Sequence, residues 1–166
     1  NLARGDDYEH ALPLLREGLQ LDPNSGQAHY TLALALFTRA EKEWQQSPGS
    51  TAAAEWFREC IPHAQRATEL KADYALAYLF WGLARKYLSE PTAAIAPLRQ
   101  GIACRPESLE LQLALGESLL EVGENRQAET HLENAHRLDA QDPRPVQALE
   151  RLHRKRSDAS RKNACR

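Results

Sequence analysis

Histidines, cysteines and carboxylates are the side chains through which this sequence could bind metal or move protons. The six histidines are His10, His29, His63, His131, His136 and His153. None stands in an H-E-x-x-H or comparable spacing that would put two ring nitrogens on one helix face. His131 and His136 are five residues apart, so a helix turns them to different faces. Cys60, Cys104 and Cys165 are widely separated, with no C-x-x-C. An odd number of cysteines cannot close into a disulfide set, and zinc and redox-motif chemistry lose their usual support. The compartment stays undecided, with a lean to a reducing, cytoplasmic one. No G-x-S-x-G, P-loop or G-x-G-x-x-G after a strand is present. Glutamates are numerous, but an acid–base pair needs a shaped cleft, and nothing in the spacing supplies one. The expectation is a chain with no catalytic residues, no metal and no cofactor: a non-enzyme.

The elements that carry these residues can be bounded by composition. The chain has 166 residues, a net charge of −2, 42% hydrophobic residues and 27% charged residues. Such values fit one folded domain or a short repeat array. They argue against disorder and give no support to a basic nucleic-acid binder. No apolar run approaches the roughly 20 residues of a membrane helix. The sequence opens on Asn1 and contains no methionine, which reads as a processed or excised piece of a protein that continues N-terminally.

Internal repetition decides the architecture. Segments 75–108 and 109–142 align without a gap, and each is 34 residues long. Gly82 falls on Gly116, Ala94 on Ala128, Leu98 on Leu132 and Gly101 on Ala135. Each segment reads as helix, turn, helix, with turns at Ser89-Glu90-Pro91 and Val122-Gly123-Glu124-Asn125. Small residues at fixed helical positions let two helices cross closely, and apolar residues at i, i+3, i+4 and i+7 give each helix a stripe to bury. A single hairpin cannot bury its stripe alone, so hairpins stack.

These residues resemble the tetratricopeptide repeat (TPR) signature. The third repeat offers Tyr78, Trp81, Gly82, Ala94, Leu98, Gly101 and Pro106; the fourth offers Leu115, Gly116, Leu119, Ala128, Leu132 and Ala135, with Ala140 where proline is expected. The first shows only a second helix, with Tyr8, Ala11, Leu15, Gly18 and Pro23. The resemblance implies an all-α, right-handed α-solenoid of antiparallel helix pairs over residues 1–142. Its parts are a partial repeat (5–25), a repeat with a helical insertion (26–74), and repeats 75–108 and 109–142. The insertion, roughly 41–55, is broken at Ser47-Pro48-Gly49-Ser50 and reads as two lengthened helices with the turn displaced outward. Asp142 and Pro143 start a capping helix over 143–155, followed by a basic, disordered tail over 156–166. Pro13, Pro62 and Pro97 recur in three successive second helices, where each should kink the helix or shift its start. Cys60 and Cys104 fall at small, apolar repeat positions, which implies buried structural thiols. His29 stands close to the groove, and packing is sufficient reason for it.

In this family the first helices of each repeat line a concave groove. Carried over by position, the groove holds Tyr30, Leu34, Phe37, Leu79, Phe80, Leu83 and Tyr87 as apolar anchors, with Lys86, Glu117 and Glu121 setting orientation. The Lys/Asn pair with which the family grips a C-terminal carboxylate is absent: its positions hold Tyr30 and Leu34, Leu79 and Leu83, Leu113 and Glu117. An apolar stripe of this kind meets a partner, and an amphipathic helix with basic residues toward Glu117 and Glu121 suits it. The competing reading has the stripe covered by an upstream segment or a neighbouring helix. Charge is uneven: residues 107–142 hold nine acidic and two basic side chains, and 143–166 hold eight basic and two acidic. Mutual neutralisation accounts for this, or else the tail docks on an acidic partner or membrane surface. The tail has no aromatic to stack bases, so nucleic acid is not expected.

The functional expectation is a protein–protein interaction scaffold or assembly module binding a peptide or helix. The alternatives are a regulatory or tethering module excised from a larger enzyme or membrane-associated complex, and a subunit that self-associates through the 41–55 hairpin extension.

Overall fold

A computed structural model describes the backbone of residues 7–164 and the side chains of residues 11–158. Eight helices follow one another: α1 (Asp7–Leu21), α2 (Gly26–Gln46), α3 (Thr51–Leu70), α4 (Ala75–Tyr87), α5 (Pro91–Cys104), α6 (Leu109–Val122), α7 (Asn125–Leu138) and α8 (Pro143–Ala164). Serines start several of them. Ser25, Ser50 and Ser108 each accept a hydrogen bond from the backbone N–H three residues on, satisfying a donor the first turn would otherwise orphan. Pro91 sits at the opening of α5, where a missing N–H costs little. Gly123 ends α6 in the left-handed region at φ 86°. Ser89 holds the same place after α4 at φ 60°, a conformation that a Cβ disfavours.

Consecutive helices pair as hairpins α2–α3, α4–α5 and α6–α7, and the hairpins stack through α3–α4 and α5–α6. The even helices also approach one another in turn, α2 to α4 to α6 to α8; among the described residues the odd helices do not. The even helices therefore form the closely spaced inner row of the stack, and the odd helices the outer row. This is the all-α array of stacked hairpins expected from the repeats.

The glycine–leucine correspondence is a packing device. A Cβ built on Gly116 would lie 2.7 Å from Leu132 Cγ and 3.2 Å from its backbone nitrogen, and one on Gly82 would collide with Leu98. Leu98 and Leu132 are fully buried in these notches. Between α2 and α4 rings take over: Phe57 stacks on Tyr87 at 4.5 Å, and Phe37 lies 5.2 Å from Phe80 and 5.6 Å from Phe57.

Three sequence expectations change. The residues read as a disordered tail from 156 continue α8 as far as Ala164. No glycine or proline follows Pro145 to stop the helix, and Arg156 fastens it to α7 by a bidentate pair with Glu129 at 2.9 and 2.8 Å. The prolines do not shift helix starts: α1, α3 and α5 run through Pro13, Pro62 and Pro97. Cys104 is exposed rather than buried, because it falls in the last turn of α5, where its thiol reaches the Ala72 carbonyl at 3.2 Å. Cys165 lies outside the described residues.

Candidate functional site

The face of α2 that continues from Tyr30 through Leu34 and Phe37 goes on to Glu41 and Trp44 at helical spacing. α2 has 21 residues against 13 in α4, so Glu41 and Trp44 belong to extra turns that an ordinary repeat lacks. These turns, with α4, α6 and the start of α8, enclose a cleft of about 670 Å³. Its walls include Leu83, Leu113 and Ala114 as apolar surface, Trp44 and Tyr87 as rings, and Glu41, Glu110, Glu117 and Glu121 as carboxylates. Such a volume is in the range of ligand-binding clefts.

The structure divides the ten expected groove residues into two sets. Leu83, Lys86, Tyr87, Glu117 and Glu121 come together in this cleft. Tyr30, Leu34, Phe37, Leu79 and Phe80 do not line it. Phe37, Leu79 and Phe80 are only 4%, 5% and 8% exposed, which corrects their reading as open anchors. Tyr30 stacks on Tyr74 at 5.1 Å and faces Phe80 at 6.2 Å, and Leu34 is half-buried against the same cluster. Rings on adjacent inner helices lie within stacking distance of each other, and mutual burial removes more apolar surface from water than waiting for a ligand. The N-terminal part of the groove is thus filled by its own side chains. Glu41, Trp44 and Arg144 were not foreseen; the i, i+3, i+7 continuation from Phe37 was the available signal for Trp44.

The polar groups of the cleft are mostly engaged. Lys86 pairs with Glu117, with both side chains largely shielded, and Arg151 reaches the same carboxylate at 3.5 Å. Arg144 grips Glu110 through two bonds of 2.7 and 3.1 Å and also pairs with Asp142. The Tyr87 hydroxyl donates to Glu41 at 3.2 Å, and burial, then the nearby Glu41 carboxylate, pushes its pKa up to about 12. These links join α2 to α4, α4 to α6, and, twice, α6 to α8. Glu121 is exposed and has no partner among the described residues.

Elsewhere the titratable groups read as structure. His29 Nδ1 lies 3.0 Å from His63 Nδ1, and His29 Nε2 lies 3.1 Å from the Pro23 carbonyl. Burial, and next the neighbouring His29, lower the pKa of His63. His131 donates to Gln112 at 2.8 Å, and burial lowers its pKa as well. Among the described residues no three His, Cys, Asp or Glu side chains converge as metal ligands. Cys60 is buried, donates to the Ala33 carbonyl, and is pushed up to about 12 by burial and then Glu59; a thiol so protonated is no nucleophile. No described helix is long and apolar enough to cross a membrane.

No protein-family model matches the sequence, and no curated protein matches it. Solved structures do. The crystal structure of MamA superposes with a TM-score of 0.76 at 19% identity, over 92% of this chain and 80% of MamA. The first TPR of Spaghetti (RPAP3), bound to an HSP90 peptide, gives 0.62 at 13% identity, over 75% of this chain and 93% of its own. The Yersinia enterocolitica type III secretion chaperone SycD, in complex with a peptide of the translocator YopD, gives 0.58 at 21% identity, over 73% and 92%. The fold of this chain is that of the tetratricopeptide-repeat helical solenoids.

Proposed function

We propose that this chain is a protein-interaction module, a scaffold that holds a peptide or helix of another protein and performs no chemistry itself. The observation that carries the reading is the cleft on the inner row, where half-buried Leu83 offers apolar surface beside the Trp44 and Tyr87 rings and four carboxylates. Two similar structures, RPAP3 and SycD, hold peptides, which supports a peptide as the ligand class. The cleft is built from residues of five helices, α2, α4, α5, α6 and α8, so a ligand seated there would contact three stacked repeats at once.

The test is a selection of peptides from a random library on the immobilised chain. Selected peptides are then titrated against Leu83→Glu in the cleft and Leu14→Glu on the exposed outer side of α1, where Leu14 is 68% exposed. Loss on Leu83→Glu with retention on Leu14→Glu is the expected result. A central apolar anchor is worth about 2 kcal/mol of binding, so the loss should be well resolved. Equal binding to Leu83→Glu would remove the cleft from the reading.

A further inference from the structure

The inner row carries four carboxylates and two cations into one cleft, and the two cations are already spoken for. Lys86 is held by Glu117, and Arg144 by Glu110 and Asp142. That leaves Glu41 on α2 and Glu121 on α6 without a cation among the described residues. α2 and α6 flank α4 on either side, and their two carboxylates line the same cleft as Leu83 and Tyr87 of α4. Trp44 completes the α2 wall, its ring 5.7 Å from that of Tyr87 in an edge arrangement. Aromatic surface beside uncompensated carboxylate is the surrounding that a partner's ammonium or guanidinium group prefers, since ring quadrupole and charge attract it together.

Both wall residues on α2 come from its extra turns. The tip beyond them, Gln45, Gln46, Ser47, Pro48 and Gly49, is exposed. Of the insertion, Glu41 and Trp44 line the cleft.

Resting on the cleft reading above, we infer that the lengthened α2 is the selectivity element of this module: it admits a partner segment that places a bulky apolar side chain against Leu83 and a neighbouring lysine or arginine between Glu41, Trp44 and Glu121. The partner is thus a basic, apolar-anchored peptide or helix. The carboxylate reached by the ligand is Glu121 or Glu41, and not Glu117, whose oxygens are occupied by Lys86 and Arg151.

The experiment uses the full chain and a random peptide library. Peptides selected on the wild type are sequenced, then titrated against Glu41→Gln/Glu121→Gln and Leu83→Glu at low and high salt. Glutamine keeps an acceptor for the Tyr87 hydroxyl, and circular dichroism checks that the double variant is folded. The expected result is enrichment of Lys or Arg beside a bulky apolar residue, a loss of about tenfold or more on the double glutamine variant, and a salt dependence that the variant loses. Recovered peptides with no basic bias, or full affinity for the double glutamine variant, overturn the charge assignment; if Leu83→Glu still abolishes binding, the cleft reading survives that failure. Peptides that bind Leu83→Glu as well as wild type, or no recovered peptides at all, overturn both.

Discussion

From α2 to α4 the helices pack through rings; from α4 to α7 they pack through leucines set in glycine notches. The first region buries Phe57 completely, with Tyr87 stacked on it and Phe37 tilted against it, and stacks Phe80 on Phe37. The second buries Leu98 and Leu132 where Gly82 and Gly116 have no side chain. Both build the same antiparallel pair, but they leave different surfaces behind. Rings fill the groove from within, so the aromatic half presents little for a partner to contact. The glycine half buries Leu113, Ala114 and Leu120 as well, but keeps Leu83, Glu117 and Glu121 at the cleft. The cleft opens where one scheme gives way to the other, with Trp44 and Tyr87 on one side and Leu113 and Ala114 on the other.

Four substitutions break or sharpen this contrast. The largest effect is expected from Phe57→Ala, which removes the ring that touches Phe37, Trp44 and Tyr87. A cost of about 3–5 kcal/mol is expected in denaturant unfolding, with loss of peptide binding because Tyr87 loses its support. A cost no larger than that of Leu14→Ala on the surface would show that the rings do not hold this region. Next comes Gly116→Ala, which drives a methyl group into Leu132 and toward its backbone nitrogen. About 1–3 kcal/mol should be lost, and adding Leu132→Ala should not restore it fully, since the backbone atom remains. Ser89→Gly works in the opposite direction: relieving the positive φ that Gly123 adopts freely in the next repeat should gain up to about 1 kcal/mol, read as a rise in the unfolding midpoint.

The smallest effect is a pH dependence. His63 holds its proton less tightly when folded, because burial and then His29 disfavour the cation; Arg16 adds to this and Glu59 opposes it. The unfolded chain binds that proton more tightly, so stability is full above the ordinary histidine value of about 6.5 and declines as pH falls below it. His63→Gln should flatten the decline in urea midpoint over that range without removing it, since His131 in the other region is lowered in the same sense. An unchanged slope would show that the His29–His63 contact does not bear on folding.

Much of the fold was legible in the chain. The gapless 34-residue alignment placed Gly82 with Gly116 and Leu98 with Leu132, and the structure seats each leucine in the notch of its own repeat. The break at Ser47-Pro48-Gly49-Ser50 put the turn between two long helices where it stands. The site was legible only in part. Leu83, Lys86, Tyr87, Glu117 and Glu121 were placed on the inner row and do share a cleft. Phe37, Leu79 and Phe80 were placed on the same row and are buried.

Periodicity states which face of a helix a residue occupies, because 3.6 residues per turn is fixed by backbone hydrogen bonding. That rule, with the 34-residue repetition, determined the helices and their pairing, and the resemblance to the tetratricopeptide repeat supplied the inner row. Whether a side chain on that row meets water, a ligand or another ring depends on the distance between neighbouring helices, and that distance is set by the volumes packed behind them. Only the tertiary structure decided that Phe37 and Phe80 would satisfy each other, that Lys86 would close on Glu117, and that Glu41, Trp44 and Glu121 would be left facing one open space.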